Sequence, residues 1–579
     1  MKTTKIFRFL IVLTLISAFT SGKPGLRAQN KITSPEQFFG FQMGTDRKLA
    51  RWDKIVDYFY TLEKESKRLK VINMGNTSDG HPFLVLILSS PDNLSNLDRL
   101  QQINKTISDP RGIDKETIDA YIQEGKVVIF QSMSLHASEV GGTQMTPELA
   151  YDLLSRNDSE TIRILDNVLY FMIPCINPDG QVMITDWYRE TVGTEYEGLS
   201  MPYLYQKYSG HDNNRDGDYH NLVESKYTAK MMFVDWLPQA YIDHHHMGTY
   251  GARFFVPPYC DPIRPYADPL VWREISWYGA HIAYKLEEKG FQGILNAAQF
   301  SGWGHFGWHW ITPFHNIAGM LTESASVNLA TPVYVHPEQL KANSRMFPEY
   351  EAQSTFPNPW PGGWWTLRDI VAQKKSSAWS LLDLAARNKE TVLTTAYLKG
   401  KNQTERGATG DIKTIIIPAD QHDYLTSVKM INTLLRSGIE IKKANQDFTV
   451  DAMQYQKGSY IISLAQPKMG LIRNLLCETH YADNSWTRKE DGTPVYPYDL
   501  ATHTMNEFMG VRVDTKAVKV ECDFTILKVK EVKVGKEEAG KNGYVIDGRQ
   551  NNSFKAVNLL LDQGIKLKRL DKTYQSFNP

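Results

Sequence analysis

The sequence lacks an excess of either charge. Its 579 residues carry 65 Lys and Arg against 65 Asp and Glu, a formal net charge of zero. No polyanionic partner is indicated, because nucleic-acid binding needs a basic excess or stripe to displace counterions. Cysteine is scarce: Cys175, Cys260, Cys477 and Cys522 are scattered with no C-x-x-C spacing. They give no disulfide framework, and a chain this long needs none. Cys175, next to a turn at the end of an apolar run, reads as a small buried hydrophobe. Long apolar runs are missing too, apart from Phe9 to Phe19 (FLIVLTLISAF). That run falls short of the ~20 residues of a bilayer span. With Lys2, Lys5 and Arg8 before it, it has the layout of an export signal. Cleavage is expected after Ala28 or nearer Gly22, leaving a secreted or periplasmic mature chain without a membrane span. The leader holds no Cys that could take a lipid anchor. No pattern specifies an oligomeric state.

What is present describes a packed protein. Hydrophobic residues make up 42% and charged residues 22%, which argues against wholesale disorder. The length predicts two globular units. Arg51 to Leu69 places Trp52, Ile55, Val56, Phe59 and Tyr60 on one helical face. Short apolar runs, VIN and PFLVLILSS, follow around the turn-rich GNTSDGH. A helix over 115–124, a strand over 127–134 and a helix opening at Pro147 come next. Further strands are expected over 168–174, 239–246 and 317–324. Apolar runs alternating with helices predict an α/β/α sandwich with a mixed or mostly parallel sheet over 29–390. Ligands collect at the carboxyl ends of such strands, so the polar residues ending each run are the ones to weigh.

Five motifs stand there. His136-Ala137-Ser138-Glu139 follows the 127–134 strand; His nitrogen with carboxylate oxygen is a normal zinc set, although alone the pair reads rather as a surface His/Glu pair. Asn177-Pro178-Asp179-Gly180 is, alone, a tight turn. Asp212-Asn213-Asn214-Arg215 carries an Arg suited to gripping a carboxylate bidentately, or resembles a calcium loop that lacks its downstream Glu. Asp243-His244-His245-His246 ends a strand, where adjacent side chains face opposite ways, so only one or two of the three imidazoles can share a metal. Glu323 ends a buried apolar strand, a costly place for a carboxylate unless it is paired, functional or reaching solvent.

Taken in order, these motifs resemble the carboxypeptidase A-like zinc carboxypeptidases, over roughly residues 35–385. The resemblance implies one Zn2+ per chain held by His136, Glu139 and His245, with an open position for water. It implies that Asp212 orients the first histidine, that Asn214 and Arg215 hold the terminal carboxylate of a peptide substrate, that Arg189 polarises the scissile carbonyl, and that Glu323 is general base and proton shuttle. The pattern departs in places: Ser138 stands where the family often has Arg, no Tyr lies between Tyr284 and Glu323, and long segments separate the motifs. Trp303, Trp308, Trp310, Trp360, Trp364 and Trp365 read equally as cleft lining or as core. The alternatives are a peptidoglycan stem-peptide D,L-carboxypeptidase or amidase, and a non-catalytic binding protein on the same scaffold.

Turn-rich sequence over 391–411 reads as a linker. Beyond it, residues 414–444 and 543–570 repeat a strand, turn, helix and strand order, a βαβ unit. This 412–579 region resembles a class I glutamine amidotransferase-like domain, doubly wound and ending before its second unit is complete. Cys477 with His480 makes no convincing nucleophile pair, so a non-catalytic role is expected.

Overall fold

The structure is a computed structural model that describes residues 32–206, 209–210, 212–304, 307–342, 344–497, 504–528 and 543–570. The predicted leader, 1–28, lies outside them. Helix α1 (Trp52–Glu65) buries Trp52, Ile55, Val56, Tyr58, Phe59 and Leu62; four of the five predicted face residues are among them, while Tyr60 is half-buried. Strands β1 (Leu69–Asn76) and β2 (Pro82–Leu88) form a hairpin, followed by α2 (Leu97–Ser108), α3 (Lys115–Glu124) and β3 (Val127–Met133). Then come α4 (Gly141–Ser155), β4 (Val168–Ile173), α5 (Pro178–Thr191), β5 (Ala240–Met247), β6 (Phe254–Phe255), α6 (Pro269–Glu288), β7 (Ile294–Leu295), α7 (Trp308–Ile311), β8 (Ala318–Ala325) and α8 (Leu367–Arg387).

The eight strands make one sheet in the order β1-β2-β4-β3-β5-β8-β6-β7. Its centre, β4-β3-β5-β8, is parallel, while β1, β2 and β6 join antiparallel. The central strands β3, β4 and β8 are buried along their whole length, which is why they read as unbroken apolar runs rather than alternating ones. Helix α8 covers one face, where Gln131 donates to the Ala378 carbonyl at 3.1 Å. On the other face Trp236 packs on Phe171 with ring centroids 4.7 Å apart.

Helix α4 begins at Gly141, so Pro147 sits inside it rather than at its start. An interior proline normally orphans the carbonyl four residues back; here the Thr146 hydroxyl donates to that carbonyl, Thr143 O, at 2.8 Å.

The segment read as a linker is instead a helix, α9 (Lys389–Thr409). The C-terminal unit contains β9 (Thr414–Ile417), α10 (Tyr424–Arg436), β10 (Lys442–Ala444), β11 (Tyr460–Ser463), α11 (Met469–Leu476), β12 (Asp514–Lys516), β13 (Phe524–Ile526) and α12 (Asn551–Asp562). Its sheet runs β12-β9-β11-β10-β13 with every neighbouring pair antiparallel. The first βαβ unit does set β9 and β10 parallel, but β11 inserts between them, so this is not a doubly wound parallel sheet. In the second repeat only α12 forms; residues 543–550 and 563–570 make no strand.

Helix α9 packs against α2, α3 and α11 and buries Val392, Leu393, Ala396, Lys399, Gly400, Gln403 and Gly407, a helical spacing. Its glycines look like turn residues in sequence but serve close packing: a Cβ on Gly407 would stand 1.8 Å from the Leu464 carbonyl oxygen. Gly407→Ala therefore sets a helix-propensity gain of ~1 kcal/mol against an overpacking cost of ~1–3 kcal/mol or more. A lower urea midpoint for the variant is expected; an unchanged or higher one would contradict this packing.

Candidate active site

The site forms at the carboxyl end of the parallel strands. After β3 the backbone turns at Ser134 (φ 46°), and Glu139 N donates to the His136 carbonyl at 3.0 Å, folding the two side chains together. His136 Nδ1 lies 2.8 Å from Glu139 Oε1. His245 arrives on β5, and its Nδ1 lies 3.0 Å from Glu139 Oε2. One ligand atom from each of the three residues falls within 4.8 Å of the others. His245 and Glu323 are register partners across the parallel β5–β8 pair, so imidazole and carboxylate leave the sheet on one face.

Each imidazole is backed by a carboxylate. Asp212 Oδ1 is 3.0 Å from His136 Nε2, and Asp243 Oδ2 is 2.9 Å from His245 Nε2. Asp212 is fixed by the Asn214 N–H at 2.8 Å, and its turn is tied to the end of β3 by Asn213 Nδ2 donating to the Leu135 carbonyl at 2.7 Å. Asp243 Oδ1 accepts from Ser132 Oγ at 3.0 Å. A proton held at each Nε2 leaves the Nδ1 lone pairs facing Glu139, the orientation a ligating histidine takes from its outer carboxylate.

The electrostatics favour a cation. Burial opposes charge on His136, yet Glu139 and Asp212 raise its pKa well above the ordinary value. Burial opposes His245 as well, and Asp243 with Glu139 lifts it to about 10. Glu139 is held well below the carboxylate range by His136 and His245, against its burial. Two Nδ1 atoms and a carboxylate, each drawn toward positive charge, are a donor set that fits zinc.

Glu323 is 8% exposed. Its Oε2 has no hydrogen-bond partner among the described residues. Burial pushes its carboxyl up to about 7, against His245 and with Glu139 adding to the rise.

The structure separates other predicted residues. Arg189 does not join the group: it is exposed near the carboxyl end of α5 and its Nη2 donates to the Leu49 carbonyl at 3.1 Å. The NPDG motif opens that helix, with Asn177 Oδ1 accepting from Gly180 N at 2.9 Å. A Cβ on Gly180 would lie 2.6 Å from Ala137 Cβ, so the helix start abuts the His136 loop, and nine residues at ~1.5 Å each carry Arg189 away from it. Asn214 accepts from Trp308 N at 3.1 Å and sets its amide nitrogen 3.3 Å from His245 Nε2. Arg215 donates to the Asn214 carbonyl at 2.9 Å and lies over the Trp310 ring, 5.5 Å from its centroid. The tryptophans divide accordingly: Trp310 borders the site, Trp308 is core, Trp360 and Trp365 flank Arg253, and Trp364 is exposed. His244 faces the opposite side of the sheet, bonded to Thr322 Oγ1 at 2.7 Å.

Sequence reasoning missed three residues. Asp243 is two positions before His245, so strand alternation alone puts it on the ligand face. Lys374 is fully buried on α8 and donates to the His245 carbonyl at 2.6 Å; burial brings its ammonium down to about 8. Its helical spacing from Ile370, Val371 and Ala378 marks a core position. His309 is buried beside Tyr259 and Trp310, with neither ring nitrogen bonded among the described residues.

Residues 55–232 match the family model described as zinc carboxypeptidase. The chain carries a zinc carboxypeptidase domain. The matched stretch holds His136, Glu139 and Asp212–Arg215 and ends before His245 and Glu323, which the sheet brings beside them. Similar solved structures include carboxypeptidase A from Helicoverpa armigera (13% identity, 60% of this chain and 74% of that one, TM-score 0.35). Others are metallo-carboxypeptidases from Burkholderia cenocepacia (13%, 57% and 67%, 0.35) and from Pseudomonas aeruginosa in complex with (2-guanidinoethylmercapto)succinic acid (13%, 59% and 68%, 0.35). No curated protein matches by sequence. The carboxypeptidase domain makes the protein a metallocarboxypeptidase, and its metal is zinc.

Asp212→Asn keeps all three candidate ligand side chains but removes the charge behind His136. A 10- to 100-fold weaker zinc affinity is expected, read by chelator competition with the circular dichroism spectrum unchanged. Undiminished affinity would show that Asp212 does not orient the histidine.

Proposed function

We propose that the protein is an exopeptidase that hydrolyses the C-terminal bond of peptides, with zinc held by His136, Glu139 and His245. Bound zinc supplies Lewis-acid chemistry, polarising a carbonyl and acidifying water toward a pKa of ~7. Glu323 takes a proton from water, the oxygen attacks the scissile carbonyl carbon, and Glu323 returns the proton to the amine nitrogen as the C–N bond breaks. A group that must both accept and release a proton near neutrality is served by a carboxyl raised to about 7. Arg215 holds the free α-carboxylate, and that grip limits the enzyme to chain ends. Arg189 takes no part.

The observation that carries this reading is the register pairing of His245 with Glu323, which sets a buried, incompletely bonded carboxylate beside a ligand imidazole. The N-terminal leader adds the proposal that the enzyme works outside the cytoplasm.

Glu323→Gln should lower kcat about 10²- to 10⁴-fold while zinc stays at one per chain by metal analysis; a variant of full activity would rule out the proton-shuttle role. Arg215→Gln should raise KM for peptides with a free C-terminus about 10- to 100-fold, the worth of hydrogen bonds to a charged group. Hydrolysis of C-terminally amidated peptides should be slow with either protein. If Arg215→Gln left the preference for free C-termini intact, the carboxylate grip would lie elsewhere.

A further inference from the structure

A second polar site lies at the other end of the same strands. Where the chain enters β5 and β8, a cavity of about 280 Å3 opens between the catalytic domain and the C-terminal unit. Lys468, at the start of α11, lines it and is 7% exposed. Its ammonium makes one hydrogen bond among the described residues, to Nδ1 of His315 at 2.8 Å. His315 offers no negative charge: burial lowers its pKa well below the ordinary value, which favours the neutral imidazole, and its ring stacks on Phe233 at 3.6 Å.

Taking an ammonium out of water is costly unless an anion meets it. The cavity's own acids form no ion pair with it, although Asp109 acts on it through space. Asp109 and Glu440 both engage Arg111, at 2.7 and 3.2 Å. Lys105 reaches the same cavity and forms no ion pair among the described residues. The lining therefore carries three basic groups (Lys105, Arg111, Lys468) against two acidic ones, and the acidic two are spoken for. One acceptor is also orphaned. Asn316 spends its amide N–H on the Pro467 carbonyl at 2.8 Å, while its buried Oδ1 has no partner.

We propose that this cavity binds a small oxyanion that also carries a hydrogen-bond donor, such as hydrogen phosphate or a hydroxy-carboxylate, with its charge on Lys468 and its donor on Asn316. Burial brings the Lys468 ammonium down to about 7; an arriving anion favours the charged form, so the ligand should bind with proton uptake near neutral pH.

The test is isothermal titration of the zinc-loaded full chain with inorganic phosphate, lactate and acetate. Phosphate or lactate should bind one per chain, and acetate, which lacks a donor at neutral pH, more weakly. Lys468→Met should weaken binding about 10-fold or more, the worth of a hydrogen bond to a charged group; Lys105→Gln should weaken it several-fold. Arg215→Gln should leave it unaltered, which separates this cavity from the carboxylate grip of the catalytic cleft. If Lys468→Met does not fold, amine-reagent footprinting of the wild-type chain decides, and phosphate or lactate must slow labelling of Lys468. Absence of binding at tens of millimolar, binding that survives Lys468→Met, or labelling that neither anion changes would overturn the proposal.

Discussion

The site depends on one carboxylate placed between two imidazoles. Glu139, with its side chain 13% exposed, meets His136 on one oxygen and His245 on the other, and each imidazole is backed by a further carboxylate. Along this line negative and positive groups alternate: Asp212, His136, Glu139, His245, Asp243. Three carboxylates give −3. Two protonated imidazoles bring the sum to −1, and so does one divalent cation between neutral imidazoles. Exchanging two protons for one metal ion thus leaves the local charge unchanged, and metal binding is coupled to proton release. The raised imidazole pKa values and the affinity for a dication have the same cause.

That line of charge exists only because the sheet is parallel at its centre. Parallel pairing sets all carboxyl ends on one edge, so β3, β5 and β8 deliver His136, His245 and Glu323 to the same place although nearly two hundred residues separate the first from the last. Register is as strict as direction. A one-residue slip of β5 would turn His244 and His246 toward the metal and send His245 with Asp243 to the opposite face. The buried contacts of those two neighbours resist the slip: His244 is tied to Thr322, and His246 stands 2.7 Å from where a Cβ on Gly141 would be. Three successive histidines are thus one candidate ligand between two packed residues.

How much of this was legible follows from how local each signal is. The central strands could be read because they are buried on both faces, and the ligand side chains because they end those runs. Pairing His136 with His245 needed the order of five motifs, since neither composition nor period links β3 to β5. Helix α9 was misread because Gly400 and Gly407 mark close helix packing and turns alike, and sequence does not distinguish the two. The C-terminal sheet was misread because a βαβ pattern fixes the relative direction of its strands but not whether a later strand inserts between them. Arg189 follows the NPDG motif closely along the chain, but both lie on helix α5, which turns that short distance into travel away from the site.

Strands β5 and β8 also tie the two ends of the molecule together. Each rises ~3.3 Å per residue, so the segment from Asn316 to Glu323 spans on the order of 20 Å, with the Lys468 cavity at one end and the His136–Glu139–His245 group at the other. Both ends bury charge, and they resolve it differently. At the carboxyl edge the excess is negative and the partner is a dication. At the amino edge the excess is positive, and its only hydrogen-bond partner among the described residues is a neutral imidazole. A strand buried on both faces with flanking helices is a rigid connection, so the C-terminal unit that supplies Lys468 is packed onto the base of the strands whose tips carry His245 and Glu323. The Asn316 amide, which donates to the Pro467 carbonyl at 2.8 Å, fastens that unit to the base of β8, so the C-terminal unit has a physical connection to these strands that requires no catalytic residue of its own.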